Sequence, residues 1–195
     1  RFNVELNCAP LRLTGDVLRR AASDLTGLWR HCNRVTHDLD SNLVMIGTLP
    51  ILREEDLTLA NISPLKRYEA LNTEILRQRG GRPLVIDIIG DEHLRTEHRD
   101  VMLEAATTSF QVHLKTPAHL AHRYFNASLM ASGPLLAAAV NAPFLFGRAL
   151  WHETRIPLFE QSIALKDRAG RHGRVTFGSG YLDSSLVESL EENRD

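Results

Sequence analysis

Two stretches of the sequence carry side chains whose types and spacing would let them do chemistry together. In the first, Glu104 to Lys115 (EAATTSFQVHLK), apolar and polar residues alternate. Thr108, Phe110, Val112 and Leu114 fall on one side, and Ser109, Gln111, His113 and Lys115 on the other. Side chains two apart on an extended backbone point the same way, so Gln111 and His113 present an amide beside an imidazole. A carboxylate from a neighbouring strand, such as Glu5, would complete a set suited to magnesium and phosphate oxygens. Hard cations take oxygen ligands, and phosphates need hydrogen-bond donors. The competing reading is a solvated polar face, which antiparallel sheets commonly have.

The second stretch, Asn141 to Gln161 (NAPFLFGRALWHETRIPLFEQ), sets Arg148 and Arg155 among aromatic residues, with His152, Glu153 and Glu160 close by in sequence. A guanidinium fork grips a carboxylate or phosphate at two points, and aromatic surroundings exclude the water that would weaken the grip. A packed loop with salt-bridged arginines is the alternative. Other candidates are weaker. His119 and His122 lie three apart on a helix with no third ligand in view, and His93 and His98 sit in a charged run that reads as an exposed turn or helix face. Cys8 and Cys32 form neither a CxxC pair nor a basic, nucleophilic setting. No nucleophile-elbow, phosphate-loop or dinucleotide-binding pattern occurs.

Several elements must position these groups. Residues 2–7 alternate as a half-buried strand, and residues 42–49 (NLVMIGTL) read as a second strand stopped by Pro50. Residues 104–115 make a third. Helical spacing of Val17, Leu18, Ala21, Leu25 and Leu28 predicts a helix over 16–33. A second helix runs from Pro64 to about Arg79 and ends at Gly80-Gly81. The run Leu84 to Ile89 is apolar between Pro83 and Gly90. Pro117 opens a long helix over about 118–140, with Pro134 as a kink point. After a glycine-rich turn region (Gly170, Gly173, Gly178, Gly180), a last helix begins near Asp183 or Ser184. Strands separated by helices, with a polar face on two of them, predict an α+β domain built on a mainly antiparallel curved sheet with helices on one face.

With 195 residues, 43% hydrophobic and 24% charged, the composition is that of an ordinary globular chain. A net charge of -1 gives no reason to expect nucleic acid or an anionic membrane as partner. The longest apolar stretch, Leu135 to Leu145, is too short to span a bilayer, and cytoplasmic location is the expectation. The chain opens on Arg1 inside an apparent strand and closes within the amphipathic pattern Leu182 to Leu190. One domain over 1–195, forming an internal piece of a longer protein, is therefore expected.

At the same residues the sequence resembles the glutamate–cysteine ligase superfamily, in its bacterial carboxylate–amine ligase branch. FNVELN followed by Pro10 resembles that family's second acidic strand, which would make Glu5 a magnesium ligand. IGTLP resembles its Gly-Thr/Gly-x-Pro stretch and leads on to Arg67-Tyr68, implied to bind substrate. TSFQVHLK resembles a strand that in many relatives reads G-x-H-V-H-V-G. The resemblance places Gln111 and His113 at the nucleotide phosphates and His113 also at the metal, with Gln111 standing where many relatives have a first histidine. ASGPLLAAAVNAPFLFGRALWHETR resembles the long helix and following loop, with Arg148 near the nucleotide and Arg155 as the ligand-gripping, catalytic arginine.

This resemblance implies a glutamine-synthetase-like fold and an ATP- and Mg2+-dependent reaction. The γ-carboxylate of glutamate is phosphorylated, and an amine such as cysteine displaces phosphate. It leaves room for a homo-oligomer. The family's first acidic strand and further metal carboxylates find no match between Arg1 and Asp195, so this chain alone is expected to be inactive. A non-catalytic binder of a small carboxylate or of a protein is the alternative.

Overall fold

The structure, a computed structural model, describes residues 3–162, 165–166, 172–173 and 177–193. The chain divides into two compact units, Arg1–Met45 and Ile46–Asp195. In the first, residues 3–16 are irregular and lead into helix α1 (Val17–Asp38). Val17, Ala21, Leu25, Leu28 and Cys32 form its half-shielded stripe, and none of its residues is fully buried. The expected strand over 2–7 carries no ladder at its described residues. A strand needs a partner, and alternation alone supplies a face without one.

The second unit holds the core. Strands β1 (Leu84–Ile89) and β2 (His93–His98) form an antiparallel hairpin in which Leu84 pairs with His98 and Ile89 with His93. Leu84, Ile86 and Ile88 point inward and pack with Leu94, Met102, Leu103, Leu145 and Leu158. Burying apolar side chains of this size contributes about 1.5–3 kcal/mol each. The charged run around His93 and His98 was expected to be a turn or helix face. It is instead the outer strand of this hairpin, and His98 is buried at its end. Gly90 makes the turn where the hairpin meets the following chain. A Cβ there would stand 2.5 Å from the carbonyl carbon of Leu150, so no larger residue fits without displacement.

Helix α2 (Lys66–Gln78) ends as the sequence requires, with Gly80 and Gly81 in the left-handed region at φ 63° and 73°. Helix α3 (Ala121–Ala139) contains Pro134, and residues 131–140 are exposed throughout rather than packed on a sheet. Two short antiparallel pairs follow the hairpin: β3 (Phe144–Leu145) with β4 (Arg148–Ala149), and β5 (Leu165–Lys166) with β6 (His172–Gly173). Helices α4 (Arg155–Ser162) and α5 (Val187–Glu192) complete the described elements. Of the glycine-rich turn region, Gly170 lies outside the described residues.

The fold is α+β, and each strand pair among the described residues is antiparallel. Its strands form three two-stranded sheets among the described residues rather than one continuous sheet. Residues 104–115 are not a strand of a ladder. Glu104–Ala106 is a 3-10 turn, Thr107 makes a single antiparallel bridge to Thr48, and 109–115 runs on with no strand paired to it among the described residues. That bridge is also all that forms of the expected strand 42–49. Helix α4 lies against β1, and Gln161 covers that strand's free edge: Asp87 N–H donates to Gln161 Oε1 (2.6 Å), and Gln161 Nε2–H to Asp87 O (3.0 Å). No helix among the described residues is long and apolar enough to cross a membrane.

Candidate functional site

Three of the sequence segments singled out above meet at Arg155. Gly47 and Thr48 come from the IGTLP stretch, Thr108 from the start of TSFQVHLK, and Asn141, Ala142 and Glu153 from the aromatic loop. Backbone bonds join them. Gly47 N–H donates to Asn141 O (3.3 Å), Thr108 N–H to Gly47 O (2.9 Å), and Ala142 pairs with Glu153 in a parallel bridge. The Thr48 hydroxyl, fully buried, donates to Phe144 O (2.7 Å), and the Thr108 hydroxyl donates to Ile46 O. Gly47 is required by close approach, since a Cβ there would meet Arg155 Nε at 2.6 Å and Ala142 Cβ at 2.8 Å.

Arg155, the first residue of α4, lies over this junction. Its Nε–H and Nη2–H donate to the two carboxylate oxygens of Glu153 at 2.5 and 2.7 Å, and Nη1–H donates to Thr108 O at 2.7 Å. The Glu153 side chain is 6% exposed and that of Arg155 22%, so this two-point pair is well shielded from water. The hydrogen bond to Glu153 raises the guanidinium above its ordinary value, against the lowering that burial causes. Sequence reasoning named Glu153 only as a neighbour. The E-T-R spacing, which puts acid and arginine two residues apart, was the signal for the pair.

Gln111 and His113 are brought together as their spacing requires. His113 Nε2–H donates to Gln111 Oε1 at 3.2 Å, and both side chains are exposed. Glu5 and Asn7 show the same two-residue geometry in the first unit, Asn7 Nδ2–H donating to Glu5 Oε1 at 3.1 Å. Arg148 on β4 faces Glu92 at 3.8 Å. At the start of α2, the Arg67 guanidinium sits 4.8 Å from the centre of the Tyr68 ring and donates to its hydroxyl at 2.9 Å. His119 and His122 flank the start of α3, and no metal-ligand group includes them among the described residues.

The family model described as Glutamate-cysteine ligase family 2 matches residues 1–170. The chain belongs to this family. No curated protein and no solved structure matches the chain. In this ligase-family chain the segments carrying Glu5, Gly47, His113 and Arg155 all fall inside the matched residues.

The donor set can be tested for Mg2+. No group of three or more His, Cys, Asp or Glu converges among the described residues. Glu5 offers oxygen ligands but stands beside an amide rather than a second carboxylate, and His113 offers a nitrogen, a poor match for magnesium. These residues do not make a magnesium site on their own. Nor did sequence reasoning find Asp91 and Trp151. They lie at the turn between β1 and β2 and after β4, and they become neighbours only through the close packing of Gly90 on Leu150.

Proposed function

We propose that this chain serves an ATP-dependent carboxylate–amine ligase of the glutamate–cysteine ligase type, which forms a γ-glutamyl amide through an acyl phosphate. The family match over residues 1–170 carries the proposal. The convergence of Gly47, Thr108 and Arg155 supports it, because phosphoryl transfer depends on rigidly positioned donors rather than on covalent chemistry by the protein. In this reading Gln111 and His113 meet phosphate oxygens, Arg148 assists at the nucleotide, and Arg67 and Tyr68 meet substrate. Arg155 holds a carboxylate or phosphate through the part of its guanidinium that Glu153 and Thr108 leave available. The magnesium that the reaction needs calls for carboxylates beyond Glu5. Substrates are glutamate and an amine, with ATP and Mg2+. The unpaired cysteines, Cys8 and Cys32, fit the reducing conditions of the cytoplasm.

One observation favours a second reading, a binder of small carboxylates without turnover: no group of three or more His, Cys, Asp or Glu converges among the described residues to hold the metal that phosphoryl transfer needs. Phosphate release from ATP with Mg2+, glutamate and an amine separates the two readings. It is to be measured on this chain and on the whole polypeptide its gene encodes. Release that needs both glutamate and amine in the whole polypeptide, lost in His113→Ala, is the expected result. No release there, with glutamate still bound, would favour the binder. The chain by itself is expected to release none, and activity from it would show that further metal carboxylates are unnecessary.

A further inference from the structure

Beside the Arg155 junction lies a cleft of about 510 Å3, within the range of small-molecule sites. The β1–β2 turn forms one side through Gly90 and Asp91, and the chain around β3 and β4 forms the other through Phe144, Trp151, His152 and Glu153. Its walls are held by the backbone. Leu150 N–H donates to Pro143 O (2.9 Å), Glu92 N–H to Ala149 O (2.8 Å), and the Trp151 indole N–H to Ile89 O (2.8 Å). Phe144 and Trp151 are 41% and 45% exposed, so their rings are available to a ligand.

The charges are uneven. Glu153 is neutralised by Arg155, and Glu92, next to Asp91 in sequence, faces Arg148. Among the described residues Asp91 has no ion-pair partner, and no lysine or arginine lines the cleft. Aromatic faces together with an unpaired carboxylate attract an organic ammonium group. The lack of a lining lysine or arginine leaves no strong partner for a carboxylate beside that ammonium. The geometry points to this cleft as the acceptor-amine site of the ligase, selective for alkylamines or diamines over amino acids. The assignment of the cleft to the acceptor rests on the ligase reading proposed above; the binding it predicts does not.

Binding is therefore tested without turnover. The chain has two tryptophans, so Trp29→Phe leaves Trp151 as the only indole reporter. That variant is titrated with 1,4-diaminobutane, with n-butylamine, and with glycine as the amino-acid comparison. Saturable change in Trp151 emission is expected with both amines, and glycine should bind roughly tenfold more weakly. Asp91→Asn should weaken the amines roughly tenfold, the loss of one charge-assisted contact, and Phe144→Leu should weaken them several-fold. Phe144 is half-exposed, so its variant keeps the test open if Asp91→Asn does not fold. No saturable change with either amine overturns the site, as does equal affinity in both variants. Glycine binding as tightly as the diamine overturns the selectivity. Amine binding that persists while the whole polypeptide fails to release phosphate would sink the ligase reading and leave the amine site standing.

Discussion

Removing the guanidinium of Arg155 would strand the Glu153 carboxylate, whose side chain is buried and has its two oxygens paired to Arg155. A buried charge left without its partner costs about 3–5 kcal/mol. Arg155→Ala is expected to destabilise the chain by about that much, and the double variant Glu153→Ala/Arg155→Ala by less than the two single changes added together. Denaturant melts of the four proteins check this, and strict additivity would show that the pair is not coupled. The same pair separates the structural role of Arg155 from a role on substrate. Arg155→Lys keeps charge but loses the fork. If Arg155 also holds a ligand, kcat/KM in the whole polypeptide should fall about ten- to a hundredfold. Glu153→Gln, which keeps the fork, should cost far less. Equal losses of stability with unchanged kinetics per folded molecule would assign Arg155 to structure alone.

At the scale of elements, helix α5 is held at its start by one carboxylate. Glu188 accepts from Asp183 N–H, Ser184 N–H and Ser185 N–H at 2.8 Å each, and from the Ser184 hydroxyl at 2.7 Å. The Asp183 amide is the largest influence among these, and together they lower the Glu188 carboxyl to about 2 from its ordinary 4.5. Its pKa in the folded state is depressed. The stability it contributes is therefore present above about 4.5 and lost as pH falls towards about 2. Amide exchange at Asp183 to Ser185 should quicken across that window, and Glu188→Gln should flatten the dependence. Unaltered exchange down to pH 2 would remove Glu188 from this role. At the β1–β2 turn, Gly90→Ala should destabilise by about 1–3 kcal/mol, because its Cβ has no room beside Leu150. A thermal melt that matches the parent would show that the turn can move. Helices were legible in the sequence wherever spacing and punctuation agreed, as at the α1 stripe and the Gly80-Gly81 stop. Strands were legible as faces only. Leu84 to Ile89 has its partner three residues further on, and it formed. The residues 2–7 and 104–115 alternate as strands do, but their pairing depends on distant chain that local pattern does not encode. The same limit hid the cleft at Asp91 and Trp151, whereas the Arg155 loop could be read from composition.

At the scale of the whole molecule, the extended segment after Thr108 has the alternation of a strand but no strand beside it among the described residues. Phe110, Val112 and Leu114 are 73%, 71% and 51% exposed, on the side opposite Gln111 and His113. Contiguous apolar side chains left in water mark a surface that another chain or segment covers, or a point of self-association. The chain is therefore expected to bind a hydrophobic fluorescent dye in its folded state and to associate as concentration rises. The double variant Phe110→Ser/Val112→Ser should lower both without lowering Tm, because side chains this exposed contribute little packing to lose. It should also leave the Gln111 and His113 pair in place, since residues one apart on an extended backbone face opposite ways. Light scattering across a concentration series, dye fluorescence and a melt on the same samples check the expectation. A monomer without dye binding at all concentrations would show that this face is already covered. A variant that melts early would show the same, because the substituted side chains would then have been part of a packed interior.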